Sequence, residues 1–372
     1  MTYSVYQHWD PLKVCIVGRS YAPEFYSFIK NGRVRKVMER IAYETEEDYQ
    51  KLIKLLKSFG VEILRPNVYS YYEEALDFNN KIKLPPMTPR DYSATIGTNF
   101  YIDTFKDFFR NKYEILKGSD WPEKCPKNVN DLPIWILKEL SEDFYNAHLM
   151  TDRMFEYKDI VSTISNNMHV EMDKTINSAE ITRIGKDIYV SYSIPDEKQF
   201  KERHPDYRFH KVSMNGHSDG NFCPVVPGLI ISLKDVQEYK KTFPGWEVIY
   251  LPDQSWSKVK SFLKLKQKNK GKWWVPGEEL NDEFTDFVES WLSHWVGYVE
   301  ETVFDVNMLV IDEKNVVCNN YNEKVFRAFE RYGITPHVIN FRHRYFWDGG
   351  LHCITSDVHR EGTMKDYFPE RG

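Results

Sequence analysis

Taken as a pattern of apolar and polar positions, the stretch MLVIDEKNVVCNNYNEKVFRAFERYGITPHVINF divides into four parts. An apolar run at 308–311 meets a polar turn, DEKN, and a second apolar run, VVC, follows. Val325, Phe326, Phe329 and Tyr332 then recur at three- and four-residue spacing, the mark of one helix face. Asn322 stands where it can cap the start of that helix and Gly333 where it can end it. PHVINF reads as a closing strand. The unit is strand, strand, helix, strand.

The order recurs along the chain. PGLIISLKDVQEYKKTFPGWEVIYLP predicts a strand, a helix, a break at Gly245 and a strand. VCIVGRS leads, after an insertion, to EEDYQKLIKLLKSFGVEILRP: a helix, Gly60 and a strand. SATIGTNFYIDTFKDFFRNKYEIL predicts two short strands, a helix and a strand. EITRIGKDIYVSYS is a strand pair turning at Gly185-Lys186. Modules repeated in this way point to a stacked or circular repeat rather than two unrelated domains. Set around an axis, they leave a central channel on which loops from every module converge. A doubly wound sheet also alternates strand and helix and is the competing architecture.

Composition narrows the class. A chain of 372 residues with 41% hydrophobic content can bury a large core, and its 15% aromatic content is high. A formal charge of −5 without a long basic block argues against nucleic acid as a partner; the local run KLKQKNKGKWW reads as a solvated loop. Cys15, Cys125, Cys223, Cys318 and Cys353 are odd in number and widely spaced, which speaks against a disulfide framework or a cysteine-rich zinc site. The start, MTYSVYQHWDPLK, lacks a signal pattern, and no apolar run is long enough for a membrane span. The expectation is a soluble, cytoplasmic protein in a reducing compartment.

Candidate chemistry sits at module edges. Cys353, in GGLHCITSDVHREG, follows a double glycine that lets the backbone approach something closely. It could be core filler, a metal ligand or a nucleophile; a nucleophile needs a base or a positive charge nearby. In MNGHSDGNFCPVVPG, His217 and Asp219 are two apart and would share one side of an extended segment. The imidazole could serve as general acid and base. Asp91 follows Arg90 just before a strand, with Pro89 setting a bend. Glu180 lies within an apolar strand beside Ala179 and Ile181 and would need a partner if it faced inward. A cysteine, a histidine and three carboxylates from different modules suit a cation, and a guanidinium's planar N–H fork matches carboxylate oxygens. His337, His343, His352 and His359 form no known metal spacing, and His352 would point away from Cys353 on a strand in a structural role.

These segments resemble the arginine:glycine amidinotransferase family of the pentein superfamily. HWDPLKVCIVGR looks like its opening strand, PPMTPRDYSATIG its Pro-Arg-Asp segment, SAEITRIGKDIYV its Ala-Ala-Asp strand, and GHSDGNFCPVVPGLIIS its His-x-Asp loop. NMLVIDEKNVV through YGITPHVINFRHRYFWDGGLHCITSDVHREG is similar to the C-terminal module and cysteine motif; the likeness is weak over 102–170 and 252–300. The resemblance implies one domain over 1–372, a five-bladed α/β propeller of ββαβ modules around a central active-site channel. It implies an enzyme without cofactor or metal that moves the amidino group of L-arginine, or another guanidino donor, to an amine acceptor by ping-pong covalent catalysis. Cys353 would be the nucleophile, His217 the general acid/base and Glu180 the catalytic carboxylate, while Asp91 and Asp219 would grip the guanidinium. Relatives are often dimers, so a homodimer is the corresponding expectation.

Three departures qualify the carry-over. Glu180 stands where the family has Asp. No arginine follows GLIIS to take the donor's α-carboxylate, and Lys234 is the nearest cation. Glu300 and Glu301 align with a serine pair, so Glu301 would repel a carboxylate and suit a cationic amine. The acceptor is therefore expected to be a diamine or amino sugar rather than glycine. The rivals are a guanidino hydrolase of deiminase or dihydrolase type using the same residues, and a catalytically dead propeller that binds a partner.

Overall fold

The computed structural model describes residues 2–76, 81–102, 154–172, 178–190, 197–212, 217–233, 238–251, 273–296, 306–347 and 349–371. Its strands are β1 Leu12–Val17, β2 Glu62–Leu64, β3 Ser93–Ile96, β4 Asn99–Ile102, β5 His169–Met172, β6 Ile181–Ile184, β7 Asp187–Val190 and β8 Arg208–Lys211. They continue with β9 Phe222–Val226, β10 Leu229–Ser232, β11 Glu247–Tyr250, β12 Leu309–Asp312, β13 Asn315–Cys318, β14 Thr335–Val338 and β15 Thr355–Arg360.

Among the described residues these form five three-stranded sheets: β15-β1-β2, β3-β4-β5, β6-β7-β8, β9-β10-β11 and β12-β13-β14. In each, the middle strand pairs antiparallel with one neighbour and parallel with the other. A parallel partner needs a crossover, and a helix supplies it every time. The crossover helices are Gly32–Ser58, Met154–Ser165, Glu197–Arg203, Tyr239–Thr242 and Glu323–Tyr332. The repeat read from the sequence is therefore the architecture, a ring of five ββαβ modules, and the doubly wound sheet is excluded. One sheet joins β15, late in the chain, to β1 near its start, which closes the ring.

Local sequence explains the punctuation. The Asn322 side chain accepts from the Val325 N–H at 3.3 Å, and Gly333 ends the helix at φ 67°, a left-handed conformation that a β-carbon would strain. The helix expected after FYID falls beyond residue 102, outside the described residues. One correction concerns Glu180: β6 begins at Ile181, so the carboxylate is half-buried in the turn ahead of the strand rather than inside it.

The aromatic content goes into the core. Trp273, Trp295 and Trp347 lie with the buried face of Gly32–Ser58 in one apolar cluster, and Trp295 stacks on Trp347 at 5.9 Å between centroids. Among the described residues no helix is long and apolar enough to cross a membrane.

The polar strand β15, TSDVHR, is buried at all six positions. Its Asp357 explains how. The carboxylate accepts from Arg90 Nη2 at 3.1 Å, from Arg183 Nη2 at 2.8 and 2.9 Å, and from Arg360 Nε at 2.8 Å. All four side chains are buried. Arg360 also reaches the Asp10 carbonyl at 2.8 Å and the Val310 carbonyl of β12 at 2.9 Å. One carboxylate thus ties together residues at the inner edges of several sheets.

Removing that charge leaves buried guanidinium groups uncompensated. Asp357→Asn should destabilise the fold by about 3–5 kcal/mol, read from urea unfolding at neutral pH. Burial works against the charged form of Asp357, but Arg183, Arg90 and Arg360 hold its carboxyl well below the ordinary 3.8. A depressed value contributes stability that is complete above the unfolded-state value and is lost as pH falls through the folded one. The gap between wild type and variant should therefore be constant above about pH 4 and narrow only below it.

Candidate active site

Cys353 lies in a turn at 351–354, just ahead of β15, and not on a strand. The Ile354 N–H donates to the Gly350 carbonyl and the Thr355 N–H to the His352 carbonyl, each at 3.1 Å. Buried Arg90 grips the same turn through Nε, at 2.8 Å from the His352 carbonyl and 2.9 Å from that of Thr355. The double glycine serves the close approach its sequence suggested. A β-carbon on Gly350 would sit 2.5 Å from Asn307 Oδ1, and one on Gly349 would sit 2.7 Å from Thr88 Cγ2.

Asp219 stands over the thiol. It belongs to a short 3-10 turn, Ser218–Gly220, with His217 as its N-cap, so the pair is not on an extended segment as expected. The Ser218 N–H donates to the Ala179 carbonyl at 2.8 Å, which docks this turn beside Glu180. Asp219 Oδ2 lies 3.4 Å from Cys353 Sγ and accepts from His352 Nδ1 at 2.9 Å. Its Oδ1 is buried and has no hydrogen-bond partner among the described residues. His352 therefore does not point away from the site; the turn brings it onto a carboxylate that the thiol also meets. His217 Nδ1 and Asp91 Oδ1 are 3.9 Å apart, both half-buried.

The charges are consistent with this geometry. Burial, then the charge of Arg90, pushes His352 down to about 4, so it donates as a neutral imidazole. Burial opposes ionisation of Asp219, but the His352 hydrogen bond and nearby His217 and Arg90 keep its carboxyl below the usual 3.8. Burial is also the first cause that raises the Cys353 thiol well above 9.0, followed by the charges of Asp219 and Asp91. A buried thiol beside two carboxylates rests neutral and attracts a cation. Among the described residues no group of His, Cys, Asp and Glu is arranged to hold a metal ion.

The structure thus brings Cys353, Asp219, Asp91 and His217 together, and places Glu180 next to the carbonyl that holds the His217 turn. Glu301 and Lys234 lie outside the described residues. Asn307 was not anticipated from the sequence, although a polar residue heading the apolar run MLVI was a signal.

Among solved structures, the chain is similar to an amidinotransferase of the saxitoxin biosynthetic pathway from Microseira wollei, with TM-score 0.60 and 17% identity over 98% of this chain and 99% of that one. The inosamine-phosphate amidinotransferase of Streptomyces griseus gives TM-score 0.59 and 17% identity over the same shares. Both share the fold. No family model matches the sequence. Among curated proteins, the mitochondrial glycine amidinotransferase of Gallus gallus is 26% identical over 98% of this chain and 84% of its own. The L-arginine:L-lysine amidinotransferase of Pseudomonas savastanoi pv. phaseolicola is 26% identical over 98% and 96%.

Along nearly its whole length the chain is similar to these amidinotransferases.

The raised thiol value has a direct readout. Alkylation of Cys353 by iodoacetamide, followed by peptide mass spectrometry, should be slow at pH 7 and should accelerate with pH beyond the usual thiol midpoint near 9.0. A plateau already reached below pH 8 would contradict a neutral resting thiol.

Proposed function

We propose that this protein is an amidinotransferase, which takes its amidino group from L-arginine and passes it to an amine acceptor through a covalent intermediate on Cys353. The observation that carries the reading is the buried Cys353 thiol 3.4 Å from Asp219 Oδ2, with Asp91 close enough to raise it further. Two carboxylates at a thiol are a poor environment for an anion and a good one for a guanidinium. Each can accept N–H bonds from the planar fork, and the unpartnered Asp219 Oδ1 is an open acceptor.

In this reading the bound guanidinium orients its central carbon over the sulfur and offsets the carboxylates that disfavour the thiolate. Cys353 loses its proton and its sulfur bonds to the central carbon. His217, held near Asp91, accepts that proton and delivers it to the nitrogen of the departing amine as the carbon–nitrogen bond breaks. The products of this half are free ornithine and a cationic amidino-thioether on Cys353. The acceptor amine then enters, loses a proton to His217, bonds to the same carbon and expels the thiolate, which is reprotonated. Glu180, beside the His217 turn, is the carboxylate that orients the imidazole.

The acceptor is proposed to be a cationic amine other than glycine. The acidic pair Glu300-Glu301 supports this at the level of sequence, and the Pseudomonas savastanoi relative is named for lysine, which carries a second amine. Equal turnover of glycine and diamines would count against it.

Intact-mass spectrometry tests the core of the proposal. Brief incubation with arginine and no acceptor, quenched in acid, should add one amidino group to the wild-type chain and none to Cys353→Ala. Ornithine should appear in the same amount as the adduct. Arginine consumption that releases citrulline or urea would instead assign the chain to hydrolysis.

A further inference from the structure

Asn307 is buried at the head of β12 and makes four short polar contacts around Cys353. Its Oδ1 accepts from the His352 N–H at 2.8 Å and from the Cys353 N–H at 3.2 Å. Its Nδ2 donates to Cys353 Sγ at 3.0 Å and lies 3.4 Å from the Asp219 carbonyl. An asparagine amide can be turned either way in principle. Here two backbone N–H groups converge on one of its ends, and only an oxygen can receive both. The amide nitrogen is therefore compelled toward the sulfur.

The surroundings give that contact its significance. The charged groups that face the sulfur are carboxylates, Asp219 and Asp91, and both oppose a thiolate. Asn307 and the Gly350 N–H act in the opposite direction. Gly350 must be a glycine for Asn307 to come this close, since a β-carbon there would fall 2.5 to 2.9 Å from three Asn307 side-chain atoms. The close packing of these two residues is thus specific to a hydrogen bond aimed at the sulfur.

We propose that Asn307 is a catalytic residue that stabilises the Cys353 thiolate by donating Nδ2–H to the sulfur, in a pose fixed by the 352 and 353 backbone N–H groups. The contact serves both halves of the reaction proposed above, because the sulfur is an anion before it attacks and again when it is expelled. A neutral donor suits this position better than a cation. It favours the thiolate without repelling the guanidinium that must approach it.

The role rests on the reading of Cys353 as the nucleophile, but its test needs no donor or acceptor. The probe is iodoacetamide, with the modified site read from the Cys353 peptide across a pH series. Asn307→Asp keeps the shape and the acceptor for the two N–H groups and turns an oxygen toward the sulfur. Asn307→Ser removes the amide donor without adding a charge. The alkylation midpoint should rise by about one unit or more in Asn307→Asp, a roughly tenfold loss of rate at neutral pH, and by less in Asn307→Ser. Near-ultraviolet circular dichroism identifies variants that retain native packing. In the wild-type chain, the Asn307 side-chain amide resonance should titrate with the same midpoint as alkylation and stay still in Cys353→Ala. Superimposable alkylation profiles in a folded variant, or a wild-type amide that does not respond while Cys353 titrates, would overturn the role. Absence of an arginine adduct would instead remove the proposed function and leave this result standing.

Discussion

The structure depends on one buried carboxylate. Asp357 is met by Arg90, Arg183 and Arg360 from different parts of the chain, and every partner is out of contact with water. An ion cluster of this kind is costly to dehydrate and becomes tolerable only when each hydrogen-bonding group is used. The guanidinium groups meet most of that demand by also reaching backbone carbonyls, at His352, Thr355, Thr95, Asp10 and Val310, although Arg90 Nη1 and Arg183 Nε are buried without a partner among the described residues. The cluster therefore fixes strand ends as well as charges. Arg90 carries this into the site, because it holds the Cys353 turn while its sequence neighbour Asp91 faces the thiol.

The cluster also sets the local potential. Three guanidinium groups against one carboxylate leave an excess of positive charge beneath the site. That excess helps keep Asp219 ionised and His352 neutral, and both shifts include Arg90 among their causes. The thiol feels the nearer carboxylates more strongly and remains protonated. Fold and site thus share one electrostatic arrangement, with guanidinium groups around Asp357 and carboxylates at the sulfur.

Much of this was legible in the sequence. The modules could be read because helix period, strand runs and glycine breaks are local signals, and each module repeats them. Cys353, His217, Asp219 and Asp91 were found as chemistry-bearing residues at module edges. What could not be read was pairing across the ring. TSDVHR is polar enough to suggest a surface strand, and nothing near it reveals that Arg90 and Arg183 bury it. His352 and Asn307 were misjudged or missed for a similar reason. His352 lies three residues ahead of β15, and the turn there decides where its side chain points, while Asn307 contacts residues more than forty positions away. Glu180 was placed in a strand because Ile181 and Ile184 carry the apolar pattern up to its edge.

The pairing of β1 with β15 has a consequence for how the enzyme comes into being. A ribosome delivers the four sheets from β3-β4-β5 to β12-β13-β14 whole, and β1 and β2 of the remaining sheet, before it delivers β15, the strand that completes it. The sulfur, its turn and the carboxylate beneath them all arrive with that last strand or just before it. The nascent chain consequently carries Asp219, His217 and Asn307 with nothing to act on. The arrangement around Cys353 therefore cannot form until the ring has the element that closes it.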